Sequence, residues 1–190
     1  MLTHRGTVEL HTERLRLRRY ALSDAQDMFE HYAADPRVTR FLTWPPYEDL
    51  AQVRLFLEAR LQDYAQDTVY NWAIEYGGQM IGSISVTKLD ESNACCEVGY
   101  CIGFAFWNRG IVSEALATVL RFLFDEVGMR RVVAQHDAEN PASGRVMLHC
   151  GMTCEGRLRE HYLRADRTVS DALIYGILRS EFKANTGGLL

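Results

Sequence analysis

From Glu97 to Phe106 the chain alternates with period two. Val98, Tyr100, Ile102, Phe104 and Phe106 fall on one side, and Glu97, Gly99, Cys101, Gly103 and Ala105 on the other. Such alternation predicts a β-strand. One face is bulky; the other is nearly bare apart from Glu97, which lets a ligand or another backbone come close. Asn108-Arg109-Gly110 then turns the chain into a helix. Its Leu116, Val119, Leu120, Leu123 and Val127 share one face, and Gly128 sits where a helix C-terminal glycine belongs. A strand that turns through glycine into a helix leaves the first N–H groups without helical partners, and the helix dipole favours negative charge there. The stretch is therefore a candidate cradle for cofactor phosphates. Strand–turn–helix units with one glycine also occur in proteins that bind no phosphate, so the role needs wider context.

The 190 residues suit one domain, taken as 1–190 with a core over about 12–182. A net charge of -4 without blocks of like charge argues against nucleic acid as the main partner. Arg14, Arg16, Arg18 and Arg19 cluster, but Leu15 and Leu17 alternate with them, as in a strand with one solvated face. No apolar run opens the chain and no stretch approaches a membrane span, so no signal peptide and no membrane partner are expected. The five cysteines, Cys95, Cys96, Cys101, Cys150 and Cys154, are odd in number and form no C-x-x-C pair. That pattern predicts neither disulfides nor a metal site and points to the cytoplasm. Cys101 and Cys150 have apolar neighbours and read as small core residues.

In chain order, Arg14 to Tyr20 reads as a strand. Ser23 is placed to cap a helix through about Ala34, with Asp24 in its first turn, and Asp35-Pro36 breaks it. The aromatic stretch Arg37 to Tyr47 is either a packed loop or the wall of a substrate pocket. A helix over Glu48 to Tyr64 follows. Strands over Tyr70 to Tyr76 and Gln79 to Leu89 flank a Gly77-Gly78 hairpin turn. After the central strand and helix come a strand over Arg131 to His136 and a helix capped by Asn140 with Pro141 at its first position, ending at Gly151. Two strands, Cys154 to Leu163 and Thr168 to Leu178, close the fold, and Ala184 to Leu190 reads as a loose terminus. The order β-α-α-β-β-β-α-β-α-β-β predicts a mixed α/β (α+β) sheet.

Four segments in this order resemble the GNAT acyltransferase superfamily, in its RimJ/RimL-like branch, over about Thr12 to Phe182. They are Thr12-Glu13-Arg14-Leu15-Arg16-Leu17-Arg18, Glu97-Val98-Gly99-Tyr100, Trp107-Asn108-Arg109-Gly110-Ile111-Val112-Ser113-Glu114-Ala115, and Asn140-Pro141-Ala142-Ser143 with Cys150-Gly151-Met152. The superfamily loop pattern is Gln/Arg-x-x-Gly-x-Gly/Ala. Here Trp107 takes its first position and Val112 its last, where bulk leaves less room beside the phosphates. The resemblance implies a largely antiparallel mixed sheet of about seven strands flanked by helices. It implies acetyl-coenzyme A as co-substrate, with no metal, and its pyrophosphate on the N–H groups of Arg109, Gly110, Ile111, Val112 and Ser113. The pantetheine arm is expected to pair like an extra strand near Phe104 and Phe106, with Asn140 as a further contact.

The implied reaction is attack of an amine on the thioester carbonyl. It needs a neutral amine, a stabilised oxyanion and a proton for the leaving thiolate. Glu97, the one ionisable residue on the bare face, is the candidate base, directly or through water; otherwise it is a carboxylate in a salt bridge. The resemblance casts Ser143 as donor to the thiolate; as a residue, a first-turn helix serine also bonds to its own backbone. Other GNAT members use a tyrosine further along that helix, where this chain has Met147. His136 and His149 qualify only by residue type and are set aside. The expected acceptor is a protein N-terminal amine of the ribosomal-protein kind. The alternatives are a polyamine or small-molecule amine and, in another class, a non-catalytic acyl-coenzyme A sensor. A homodimer is left open.

Overall fold

The leucine–arginine alternation folds as a strand. After the short β1 (Leu10–His11), β2 (Leu15–Arg18) buries Leu15 and Leu17 and turns its arginines to the opposite face. Arg16 meets Glu9 at 2.8 Å, and Arg18 meets Asp24 at 2.8 Å, so the basic cluster is a solvated face tied down by carboxylates. The structure, a computed structural model, describes residues 2–186 and their side chains as far as Phe182.

Asp24, not Ser23, organises the first helix. Its buried carboxylate, held by Arg18, accepts the Ala21 N–H at 2.8 Å and outcompetes the weaker hydroxyl beside it. A 3-10 turn (Leu22–Asp24) leads into α1 (Ala25–Met28), which widens into a π-helical turn (Phe29–Ala33). Asp35 then caps α2 (Pro36–Thr39) by accepting the Arg37 N–H at 2.9 Å. Asp49 likewise caps α3 (Leu50–Asp63), slightly inside the expected span. β3 (Asn71–Tyr76) and β4 (Gln79–Asp90) meet through Gly77 and Gly78, both at positive φ, as a tight hairpin turn requires.

β5 (Cys95–Ile102) is shorter than its alternation predicts. Phe104–Phe106 is a 3-10 turn instead of the end of the strand. A Cβ on Gly103 would stand 2.7 Å from the His31 carbonyl oxygen, so the chain passes hard against the π-helical turn and bends away. The Trp107 indole N–H closes the bend on the Ile102 carbonyl at 3.0 Å. The remaining elements are α4 (Ile111–Arg121) with a π-helical extension (Phe122–Val127), β6 (Arg131–Asp137), α5 (Pro141–His149), β7 (Thr153–Leu163), β8 (Val169–Leu178) and α6 (Arg179–Thr186). Gly128 ends the α4 extension at φ 91°, as expected. α6 occupies part of the expected loose terminus, whose last residues, 187–190, lie outside the described residues.

The sheet has eight strands in the order β1-β2-β3-β4-β5-β6-β8-β7, one more than the approximate seven expected, because β1 pairs with β2. Among the described residues only β5 and β6 run parallel. α4 covers one face, sealing Leu116, Val119, Leu120 and Leu123 against Trp72, Ile84, Val98 and Val132. α1 and α3 cover the other over Ala73 and Met80. β5 and β6 pair only from Cys95↔Arg131 to Val98↔Ala134. Beyond that point β5 stays on β4 as far as Ile102 and β6 stays on β8 as far as Asp137, so the two strands part.

Asp137 anchors one arm of this wedge. It accepts from Arg164 at 2.6 and 2.8 Å, from Ser170 Oγ at 2.7 Å and from the Glu139 N–H at 2.9 Å. Its side chain is 1% exposed. Burial alone would raise its pKa, but the Arg164 and Ser170 hydrogen bonds outweigh burial and hold it below the ordinary value. The folded form therefore gains stability from the carboxylate above the unfolded pKa of ~3.9 and loses it as pH falls through the lower folded value. Asp137→Asn takes from the Arg164 guanidinium its buried carboxylate partner and leaves only the exposed Glu139 at 3.0 Å, and is expected to cost about 3 kcal/mol at neutral pH. In urea titrations the gap to wild type should hold above about pH 5 and close below about pH 4. A gap independent of pH contradicts the charge argument.

Candidate active site

A cavity of about 410 Å³ opens where β5 and β6 part. Tyr100, Cys101 and Ile102 of β5 line it, with Asn108 to Ser113, Asn140, Ser143 and Val146, and with Val38, Phe41 and Leu42 from the aromatic stretch. That stretch is thus a pocket wall, which resolves the alternative left open by its composition.

At one end of the cavity stands the N-terminus of α4. Gly110 caps it at φ 71°, a left-handed conformation that favours glycine, and no side chain caps the helix. The Glu114 carboxylate, which could have done so, binds Arg14 at 2.7 Å and Thr12 instead. Arg14 also reaches the Arg109 carbonyl at 3.2 Å and fixes the loop from outside. Ile111 and Val112 send their side chains into the core, 2% and 9% exposed, so their backbone remains for the cavity. The expected crowding by Val112 does not arise. The helix start presents the unpaired N–H groups and positive dipole end that an anion needs.

The predicted residues do not all converge. Phe106 lines the cavity, whereas Phe104 stands behind it, its ring against Trp107 at 5.0 Å and under the Arg37 guanidinium at 3.9 Å. The Phe106 N–H is spent on Gly103 at 2.9 Å, so this segment does not extend the strand edge. The open backbone edge instead belongs to Gly99 to Ile102, facing the gap left by β6. Asn140 precedes Pro141 as expected, but its side chain makes no cap hydrogen bond, and it lines the cavity.

Ser143 lines the cavity from the first turn of α5 and meets the Tyr100 hydroxyl at 2.9 Å. Tyr100 is the residue that sequence reasoning assigned only to the bulky strand face. Its signal was a polar tip in an otherwise apolar row. Glu97 lies on the opposite face of β5, outside the cavity lining. Its carboxylate meets Lys88 at 3.0 Å, with Thr87 and Gln135 at 3.3 Å. His136 is buried, with Nδ1 2.7 Å from the Asp137 carbonyl oxygen, and His149 sits on the rim. Burial pushes the Cys150 thiol up to about 12 and raises that of Cys101, yet both are half-buried at the edge of the core, and Cys101 lines the cavity. Among the described residues no group of three or more His, Cys, Asp or Glu side chains is arranged to hold a metal ion. No described helix is long and apolar enough to cross a membrane.

The split in the mixed sheet thus sets an open strand edge beside an uncapped helix start. The sequence model of the Acetyltransferase (GNAT) domain matches residues 14–153. YoaA of Bacillus subtilis (strain 168), an uncharacterized N-acetyltransferase, is 30% identical over 90% of this chain and 96% of its own. The ribosomal-protein-serine acetyltransferase of Escherichia coli (strain K12) is 25% identical over 63% of this chain and 67% of its own. The solved structure of the microcin C7 self-immunity acetyltransferase MccE, in complex with acetyl-CoA and AMP, shares the fold with a TM-score of 0.80 at 22% identity, over 88% of this chain and 93% of that one. The chain belongs to the GNAT acetyltransferase family. It is an N-acetyltransferase that uses acetyl-coenzyme A, so the sensor alternative falls away.

Gly110→Val tests the cradle. A β-branched residue at this φ is strained by on the order of 1–3 kcal/mol and distorts the loop that aims the N–H groups. Calorimetry on the folded variant should show acetyl-coenzyme A binding weakened at least tenfold, about 1.4 kcal/mol. Unchanged affinity would place the phosphates elsewhere.

Proposed function

We propose that this enzyme acetylates the N-terminal amine of a protein or peptide. The observation that carries the reading is the charge around the acceptor side of the cavity. Arg40 and Arg164 lie over the ring of Phe41 at 5.0 and 5.8 Å, and Arg37 lies over Phe104. The carboxylates nearby are already engaged: Asp35 by Arg37, and Asp137 and Glu139 by Arg164. A polyamine needs free carboxylates and meets guanidinium groups instead. A peptide N-terminus brings one amine on a chain that can be neutral or acidic. It also has the lower amine pKa, ~7.7–8.0 against ~10.4 for an alkyl amine, so less work is needed to reach the neutral nucleophile.

In this reading the coenzyme pyrophosphate rests on the N–H groups of Arg109 to Ser113. The pantetheine arm runs along Gly99 to Ile102, with Asn140 and Phe106 beside it and Phe104 supporting Trp107 from behind. Ser143 donates to the thiolate. Glu97, on the other face of the sheet next to the point of parting, accepts the ammonium proton through water.

Thiol release from acetyl-coenzyme A is the test of the acceptor. The panel comprises peptides beginning with serine or alanine, spermidine and a small primary amine. The peptides should turn over fastest, and preference for spermidine overturns the acceptor assignment. On the best amine, Glu97→Gln should lower kcat by ~10²-fold at neutral pH and recover part of it at high pH, where the amine loses its proton unaided. A variant with the wild-type pH–rate profile removes Glu97 from proton transfer and leaves it as the partner of Lys88.

A further inference from the structure

The Tyr100 hydroxyl projects from β5 to two oxygens of one residue. It stands 2.9 Å from Ser143 Oγ and 3.0 Å from the Ser143 carbonyl oxygen. The carbonyl can only accept, whereas each hydroxyl donates one proton and can also accept. If Tyr100 donates to the carbonyl, Ser143 turns its own proton back to Tyr100 and shows the cavity only lone pairs. If Tyr100 donates to Ser143 Oγ, the Ser143 proton is released to face the cavity. Rotating one phenolic O–H therefore changes what Ser143 offers to a bound ligand.

We propose that Tyr100 is a positioning residue for acetyl transfer, whose hydroxyl aims the Ser143 proton at the leaving sulfur. The proposal rests on the reading of Ser143 as donor. As the amine nitrogen bonds to the carbonyl carbon and the C–S bond breaks, the bonding pair goes to sulfur. Ser143 Oγ–H then donates to the thiolate and Tyr100 Oη–H donates to Ser143 Oγ. Neither O–H bond breaks: the sulfur leaves as a hydrogen-bonded thiolate and takes its proton from solvent, and the acetylated nitrogen gives up its extra proton to solvent, so the count balances. Two hydroxyls in series polarise each other, so the second strengthens the first. Burial holds the phenol well above its ordinary pKa, so Tyr100 keeps its proton across the working range. The ring packs against the main core, so the phenol oxygen is presented from a fixed strand.

The test compares Tyr100→Phe, Ser143→Ala and the double variant in single turnovers at saturating acetyl-coenzyme A. The amine is whichever panel member releases thiol fastest. If none is accepted, acceptor-free hydrolysis of acetyl-coenzyme A, which breaks the same C–S bond, is read instead. Each single variant should slow the step about tenfold, and the double variant should be no slower than Ser143→Ala, because the two hydroxyls act as one unit. Acetyl-coenzyme A affinity should not change. A hundredfold loss in the double variant, the product of two independent tenfold effects, overturns the coupling. An unaffected Tyr100→Phe beside a slow Ser143→Ala overturns the role of Tyr100 and leaves Ser143 as donor. An unaffected Ser143→Ala removes the donor and the proposal with it. Should Tyr100→Phe fail to fold, Tyr100→Leu is put through the same cycle.

Discussion

The parting of β5 from β6 is the constraint on which the rest of the site depends. A parallel pair ordinarily continues its evenly spaced hydrogen bonds for the length of both strands. Here each strand is held more firmly by its antiparallel neighbour. β4 carries an extra residue between Val86 and Lys88, opposite Val98 and Glu97, where the pairing with β6 ends. Such a bulge sharpens local twist and bends the ladder. Just beyond it Gly82 allows a close approach: a Cβ there would meet the Cys101 carbonyl oxygen at 2.5 Å and Ile102 Cα at 2.9 Å. β5 is thus drawn toward β4 and away from β6, and a strip of backbone is left facing a cavity. On the far side Asp137 and Arg164 keep β6 on the β8 side.

The helices then convert this wedge into a site. α4 is pinned by a fully buried row, so its start cannot drift from the mouth of the wedge. Ile111 and Val112 act as the first pegs of that row while their backbone lies at the cavity. On the proposed reading packing and anion binding use different atoms of the same residues, and so do not compete. Arg14, far away in sequence, locks the loop through Arg109 and Glu114, which ties the chain just before β2 to the α4 end of the cavity.

What could be read from the sequence follows the range of the forces involved. The strand–turn–helix with Gly110 and Gly128 was legible because positive φ and periodic burial are local demands. The Gly77-Gly78 hairpin is legible for the same reason. The end of β5 was not: Phe104 and Phe106 keep the alternation, but contact of Gly103 with the π-helical turn after α1, a tertiary event, bends the chain. Asp24 displaced Ser23 because its partner, Arg18, comes from a neighbouring strand. β1 is too short to carry a period. Tyr100 was hidden by its own apolar ring, since alternation places a side chain on a face but does not say what its polar tip will find there. The split between β5 and β6 is a relation between strands about 30 residues apart, and no local pattern encodes it.

The faces of β5 also set the terms for the chemistry. Glu97 and Tyr100 are three positions apart and therefore project to opposite sides of the sheet. The separation matters because a carboxylate is a stronger acceptor than a hydroxyl oxygen. Were Glu97 on the side of Ser143, it would take up the serine or tyrosine proton, leaving no donor free for a thiolate. With the backbone between them, Tyr100 meets Ser143 as its hydrogen-bond partner among the described residues, and Glu97 meets Lys88, Thr87 and Gln135. On the proposed reading the thiol leaves on one side of the sheet and the ammonium proton departs on the other. On that reading the two sides communicate through the gap that opens between β5 and β6 just beyond Val98.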